Sequence, residues 1–90
     1  MQRLTAIVHG RVQGVYFRDY TRREAIKLQI TGWVANQSNS TVKVVAEGAE
    51  SALTQLLAWL HTGSPSAQVT SVDVEWSAAT DEFSHFEIRW

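Results

Sequence analysis

The nine residues Gly10-Arg11-Val12-Gln13-Gly14-Val15-Tyr16-Phe17-Arg18 constrain this chain more than any other stretch. Before them, Leu4, Ala6 and Val8 alternate with Thr5, Ile7 and His9, so residues 4–8 read as a strand. After them, Phe17, Thr21, Ala25 and Leu28 recur at helical spacing, with Asp19, Arg22, Arg23 and Lys27 mostly off that stripe. The chain must therefore pass from strand to helix through two glycines. Glycine permits φ > 0 and lets a ligand approach the backbone closely. Successive N–H groups in such a turn make a concavity for an anion. The helix behind it adds its free N–H groups and the positive end of its dipole. Arg18 supplies a planar fork of charged donors suited to phosphate or carboxylate oxygens. The pattern points to a pocket for one small anionic group, phosphate first. Two glycines alone would indicate no more than a tight βα connection. Neither common nucleotide loop is present, since no Gly-Lys-Ser/Thr follows and the G-x-G-x-x-G spacing is absent.

Charge is distributed in keeping with this. Residues 1–29 carry Arg3, Arg11, Arg18, Arg22, Arg23 and Lys27 against Asp19 and Glu24, a net of +4, and the remainder is −5. A basic third around the glycine turn attracts small anions. An overall charge of −1 is not that of a nucleic-acid-binding domain. Ninety residues suffice for one domain, 1–90, and for one core. With no cysteine there is no disulfide, thiol nucleophile or thiolate metal site. No apolar run is long enough to span a membrane and no basic, apolar segment opens the sequence, so a cytoplasmic location is expected.

The rest of the chain reads in order. The first helix is expected from Tyr16 or Phe17 to Gln29, and Thr31-Gly32 breaks the pattern. Residues 33–37 and 41–47 read as strands joined by a turn at Gln37-Ser38-Asn39-Ser40. Val42, Val44 and Ala46 share one face of the second of these. Leu53, Leu56, Leu57 and Leu60 form the stripe of a second helix, which Gly63 and Pro65 end. Trp59 lies off that stripe, where partial exposure is expected. Val72, Val74 and Trp76 alternate with Asp73 and Glu75 as in a half-buried strand, followed by a loop over residues 77–82. Phe86, Ile88 and Trp90 alternate with Glu87 and Arg89 in a terminal strand. Because Ile7 is apolar as well, the first strand is expected to lie centrally, covered on both faces. The order βαββαβ, with a short extra strand, predicts an α+β fold. It is a ferredoxin-like α/β sandwich with two helices on one face of a mostly antiparallel sheet.

None of His9, His61 and His85 pairs at metal-ligand spacing, and structural or incidental roles are expected; only His9 lies near the glycine turn. Asp81-Glu82 reads as a solvated acidic pair in a loop. No metal and no cofactor are expected.

Residues 10–18 match at every fixed position the acylphosphatase signature G-x-V-Q-G-V-x-F-R. Gly32-Trp33-Val34-Ala35-Asn36 resembles the family's G-[WY]-V-x-N, and Val42-Lys43-Val44-Val45-Ala46-Glu47-Gly48 its V-x-V-V-A-x-G. Gly63-Ser64-Pro65-Ser66-Ala67-Gln68-Val69 and Phe86-Glu87-Ile88-Arg89-Trp90 fit as well, so the resemblance covers essentially the whole chain. It implies the same fold. It also implies that Arg18 binds the phosphate, that the backbone amides of Val12, Gln13, Gly14, Val15, Tyr16 and Phe17 form the cradle, and that Asn36 orients the attacking water. On the residues alone, Asn36 reads as a strand-end residue at a turn. Many relatives carry Asp-Gly where this chain has Asn39-Ser40, so a different turn type is expected there.

A site of this kind holds no evident general acid, nucleophile or metal set. Arginine keeps its proton at neutral pH, and asparagine orients a water without taking its proton. Such a site suits a leaving group that needs no proton, such as a carboxylate, whose acid has a pKa of about 4. The expected reaction is hydrolysis of an acyl phosphate to a carboxylate and inorganic phosphate. The phosphate is both product and competitive inhibitor, and the chain is expected to act as a monomer without nucleic acid or membrane. A noncatalytic anion-binding module of the same fold is the alternative. An RNA-binding reading of βαββαβ would need aromatic residues on the sheet, and Trp33 and Trp76 are the candidates.

Overall fold

The computed structural model describes residues 1–90. Its elements run β1 (Gln2–Arg11), α1 (Phe17–Lys27), β2 (Thr31–Asn36), β3 (Val42–Gly48), α2 (Glu50–Thr62), β4 (Gln68–Ala78) and β5 (Phe86–Arg89). The strands form one sheet in the order β4-β1-β3-β2-β5. β1 pairs antiparallel with β3 and β4, β2 pairs antiparallel with β3, and β5 joins β2 in parallel. Both helices lie on the same face. Leu4, Ala6 and Val8 of β1 and Val42, Val44 and Ala46 of β3 meet Phe17 and Ala25 of α1 and Leu53, Leu56 and Leu60 of α2 in one buried cluster. This is the ferredoxin-like α+β sandwich that the alternation of strand and helix periods predicts.

Several local expectations are corrected. β1 does lie inside the sheet, but its second face carries no helix, and Ile7 is only half-buried. That face is covered instead by its own long side chains. The Trp33 ring lies under Lys43 Nζ at 5.9 Å and Arg89 Cζ at 4.8 Å, and Val45, its partner across the sheet, is buried. Trp76 pairs with Leu4 and therefore lies on the helix side, opposite Trp33, so no shared aromatic platform forms. β4 is an edge strand with little beyond it, which leaves Val74 39% and Trp76 43% exposed. It continues through Ser77 and Ala78, which pair with Arg3 and Gln2.

The helical pattern does end before Thr31-Gly32, but β2 begins at Thr31 rather than at residue 33, and Gly32 lies within it, where an added Cβ would lie 1.9 Å from Val45 O. Gly10 has a similar duty. β1 and β4 shift register between His9 and Gly10, and an added Cβ at Gly10 would lie 2.1 Å from Gln68 O. The first glycine of the signature thus shapes the sheet rather than the turn.

α1 ends two residues earlier than expected. Ile30 N–H bonds Ala25 O at 2.9 Å and Gln29 N–H bonds Ile26 O at 3.1 Å, with Gln29 at φ 59, a left-handed cap closed by buried Ile30. In the β2–β3 hairpin the left-handed residue is Ser40, at φ 73. Asn39 Oδ1 instead accepts from Thr41 Oγ1 at 2.6 Å and from Thr41 N–H at 3.3 Å, which braces the turn. Ser40 N–H to Gln37 O and Gln37 N–H to Thr41 O complete a three-residue loop in which glycine is the usual third residue.

At the end of the sheet where β1 begins, the β4–β5 connection folds over Arg3 and Glu47. The Glu47 side chain is 4% exposed. It accepts from Arg3 Nε at 2.7 Å, Thr80 N–H at 2.9 Å, Asp81 N–H at 3.0 Å and Thr80 Oγ1 at 3.1 Å. Glu82 completes the network by pairing with Arg3, so Asp81-Glu82 is not a free acidic pair. Burial pushes the Glu47 carboxyl up, but the hydrogen bonds from Thr80, Arg3 and Asp81 outweigh it and hold the group below the ordinary value of 4.5. A carboxyl lowered in the folded state contributes stability that is complete above its ordinary value and lost as pH falls through the folded value. Thermal unfolding followed from pH 7 to pH 3 should therefore show a level midpoint that drops once the pH passes below the glutamate range. Glu47→Gln should cost about 3 kcal/mol at neutral pH, the lower end for breaking a buried pair, and flatten that acid limb.

Candidate active site

Three buried side chains hold the connection between β1 and α1 at the surface. Val12, Val15 and Phe17 point into the core while Gly14 and Tyr16 are exposed. Gly14 at φ 74 and Tyr16 at φ 60 are both left-handed, which curls the backbone into the concave form that suits anions. α1 starts at Phe17 with no side-chain cap, so its first N–H groups are not occupied by one. Phe17 packs on Trp59 with ring centroids 5.6 Å apart. This accounts for the half-burial of Trp59 off the α2 stripe.

Two side chains tie the connection to its surroundings. Gln13 Nε2 donates to Gln37 O at 2.8 Å and Thr41 O at 2.9 Å, reaching the hairpin directly beyond Asn36. Ser64 Oγ donates to Val15 O at 2.7 Å from the turn after α2. The side chains of Gln13 and Val15 are therefore engaged by neighbouring structure or core. Val12, Gly14, Tyr16, Phe17, Arg18 and Asn36 line a cleft of about 380 Å³. Asp19, Ile88 and Trp90 complete its walls. Sequence reasoning did not anticipate these last three. The alternation of Phe86, Ile88 and Trp90 was the available signal, because Phe86 is buried in the core and Ile88 and Trp90 follow it on the same side.

The cleft is electropositive. Arg18 has no carboxylate partner, and its guanidinium lies over the Trp90 ring, 4.2 Å from the centroid. Asp19 on the same wall is engaged by Arg23 at 2.9 Å. Asn36 Oδ1 is buried and accepts no hydrogen bond from the protein. Such an oxygen normally has a partner, so it marks the cleft as a place for a polar molecule. His9 is turned to the other face, where Nε2 meets Asp73 at 2.8 Å. No three His, Asp or Glu side chains gather as a metal set. The two other hollows, one beside Gln2, Glu50 and Trp76 and one beside Glu47 and Phe83, are lined by no arginine, lysine or histidine. The cleft can bind, orient and neutralise charge; it holds no histidine, its one carboxylate, Asp19, is engaged by Arg23, and its remaining hydroxyl is that of the exposed Tyr16.

The acylphosphatase family model matches residues 4–88. An acylphosphatase of Salinibacter ruber is 48% identical over 88 residues, covering 98% of this chain and 93% of the relative. The crystal structure of acylphosphatase from Bacillus subtilis superposes with a TM-score of 0.97 at 38% identity, all of both chains being covered. An acylphosphatase from Coxiella burnetii superposes with a TM-score of 0.91 at 39% identity, covering 98% of this chain and 92% of that one. No helix is long and apolar enough to cross a membrane. This chain therefore belongs to the acylphosphatase family, enzymes that hydrolyse acyl phosphates.

Proposed function

We propose that residues 1–90 act as one acylphosphatase domain, monomeric and cytoplasmic, in which the backbone amides of residues 12–17 and the Arg18 guanidinium hold the phosphoryl group. Asn36 orients a water in line with the scissile P–O bond. The water oxygen bonds to phosphorus, the bond from phosphorus to the acyl oxygen breaks, and the carboxylate leaves with its electron pair. The water's proton passes to a phosphoryl oxygen, giving inorganic phosphate. This demands positioning and charge stabilisation, which the cleft supplies, and no general acid, which it lacks. The observation carrying the reading is the meeting of Arg18 from α1 and Asn36 from β2 on one cleft, with Asn36 Oδ1 unpartnered. Inorganic phosphate, the product, retains the group the cradle holds and is a competitive inhibitor in this reading. The direct experiment is benzoyl phosphate hydrolysis with and without chelator. Turnover should be the same in both; phosphate binding without turnover would leave only an anion-binding module.

Leaving-group selectivity follows from the missing proton donor. Acyl phosphates should turn over at least about a thousandfold faster than para-nitrophenyl or alkyl phosphates, the usual scale of acid catalysis. Comparable rates on an alkyl monoester would reveal an unrecognised acid.

Arg18→Lys keeps the charge but loses the two-pronged geometry. Steady-state kinetics should show a raised KM and no competitive inhibition by phosphate. Unchanged phosphate inhibition would remove Arg18 from the cradle.

Asn36→Ala should still bind phosphate but lose about 2.7–4 kcal/mol of transition-state stabilisation, the scale for deleting one preorganised polar group. Asn36→Asp should damage both binding and turnover, since it places a negative charge beside the phosphoryl group. If Asn36 served only the hairpin, both variants would lower stability by about 1 kcal/mol, seen as a lower unfolding midpoint, and leave turnover per folded molecule intact. Unfolding midpoint and kcat measured on the same preparations separate the two.

A further inference from the structure

Ser64 belongs to no strand or helix and contributes nothing to the cleft walls, yet it is buried and bonded to the phosphate loop. Its Oγ donates to Val15 O at 2.7 Å. The turn holding it is itself fixed. Gly63, at φ 74, packs so closely on Phe17 that an added Cβ would lie 2.7 Å from Phe17 Cε2. Ala67 N–H closes the turn on Ser64 O at 2.9 Å.

What this bond controls follows from peptide geometry. The Val15–Tyr16 peptide is planar and trans, so the Val15 carbonyl and the Tyr16 N–H point in opposite directions. With the carbonyl drawn toward buried Ser64, the N–H is directed away from the core, to the side where Gly14, Tyr16 and Arg18 line the cleft. Tyr16 holds this arrangement at φ 60, which a residue with a Cβ adopts reluctantly. Rotation of that one peptide would return Tyr16 to negative φ and turn its N–H out of the cleft. Nothing local to Tyr16 opposes the rotation; the Ser64 hydroxyl does.

We propose that Ser64 is a positioning residue that locks the Val15–Tyr16 peptide so that the Tyr16 N–H faces the bound phosphoryl group. This rests on the reading of residues 12–17 as a phosphate cradle. The test is a titration of ¹⁵N-labelled wild type, Ser64→Ala and Ser64→Thr with inorganic phosphate, following each amide, together with KM and kcat for benzoyl phosphate. In wild type the Gly14 and Tyr16 amides should both respond. In Ser64→Ala phosphate should bind roughly five- to tenfold more weakly, the scale of one hydrogen bond. The Tyr16 response should be lost while Gly14 still responds, and KM should rise more than kcat falls. Ser64→Thr, which keeps the hydroxyl, should restore the Tyr16 response. Wild-type phosphate affinity in folded Ser64→Ala overturns the assignment. So does a wild-type titration in which Gly14 moves and Tyr16 does not, a result that stands even where the variants fold poorly. Absence of any response across residues 12–18 in wild type overturns the cradle itself, and the role of Ser64 with it.

Discussion

Burial of Phe17 against Trp59 fixes where α1 begins, and the rest of the site depends on that point. A helix start has free N–H groups that must face solvent or a ligand. Here they are set at the surface by a ring that cannot leave the core without a cost of about 3–5 kcal/mol, the usual loss for such a side chain. Val12 and Val15 do the same for the preceding residues. The loop is thus stretched between apolar anchors, and its polar backbone is what remains exposed. Gln13 and Ser64 act in the other two directions, toward the β2–β3 hairpin and the turn after α2. A backbone cradle must be rigid to prefer one anion geometry, and the loop proposed as one here is tied to three separate parts of the fold.

The contact from Gln13 has a second consequence. Its amide bonds Gln37 O and Thr41 O, which flank the turn directly after Asn36. The residue proposed to hold the water is thereby registered against the loop proposed to hold the phosphoryl group, although they come from different secondary-structure elements. Reactions that rely on orientation lose rate steeply when the reacting groups drift by an ångström. Without a proton donor to compensate, such a site gains most from linking its two halves directly.

The sheet and helices were legible because alternation and helical spacing report burial of one face, and the central strands of this sheet bury the face turned to the helices. The periods of Leu4, Ala6 and Val8 and of Leu53, Leu56 and Leu60 carried that information. Arg18 and Asn36 were legible through motif rather than period. What could not be read depends on contacts between distant segments. The close approach of Gly10 to Gln68 arises only when β1 and β4 pair, so the glycine looked like part of the turn. Gly32 looked like a residue ahead of β2 for the same reason, since its close approach to Val45 arises only when β2 and β3 pair. The exposure of Trp76 follows from edge position, which its alternation with Glu75 does not reveal. Glu47 sat in a strand motif with no sign that Arg3, Thr80 and Asp81 would surround it.

That buried network lies where β1 begins and β3 ends, whereas the cleft lies where β1 ends and β3 begins. The antiparallel pairing of these strands therefore sets the acid-sensitive staple and the proposed anion site at opposite ends of the sheet. Salt bridges at the staple close the β4–β5 connection without touching the loop or Arg18. A protonation event at Glu47 loosens that connection and lowers the stability of the whole domain, but it changes no charge at the cleft. Conversely, neither Arg18 nor Asp19 on the cleft wall forms an ion pair with any member of that network. The acid limb of folding thus has a physical origin outside the cleft: a carboxylate beneath a loop, held by Arg3, Thr80 and Asp81.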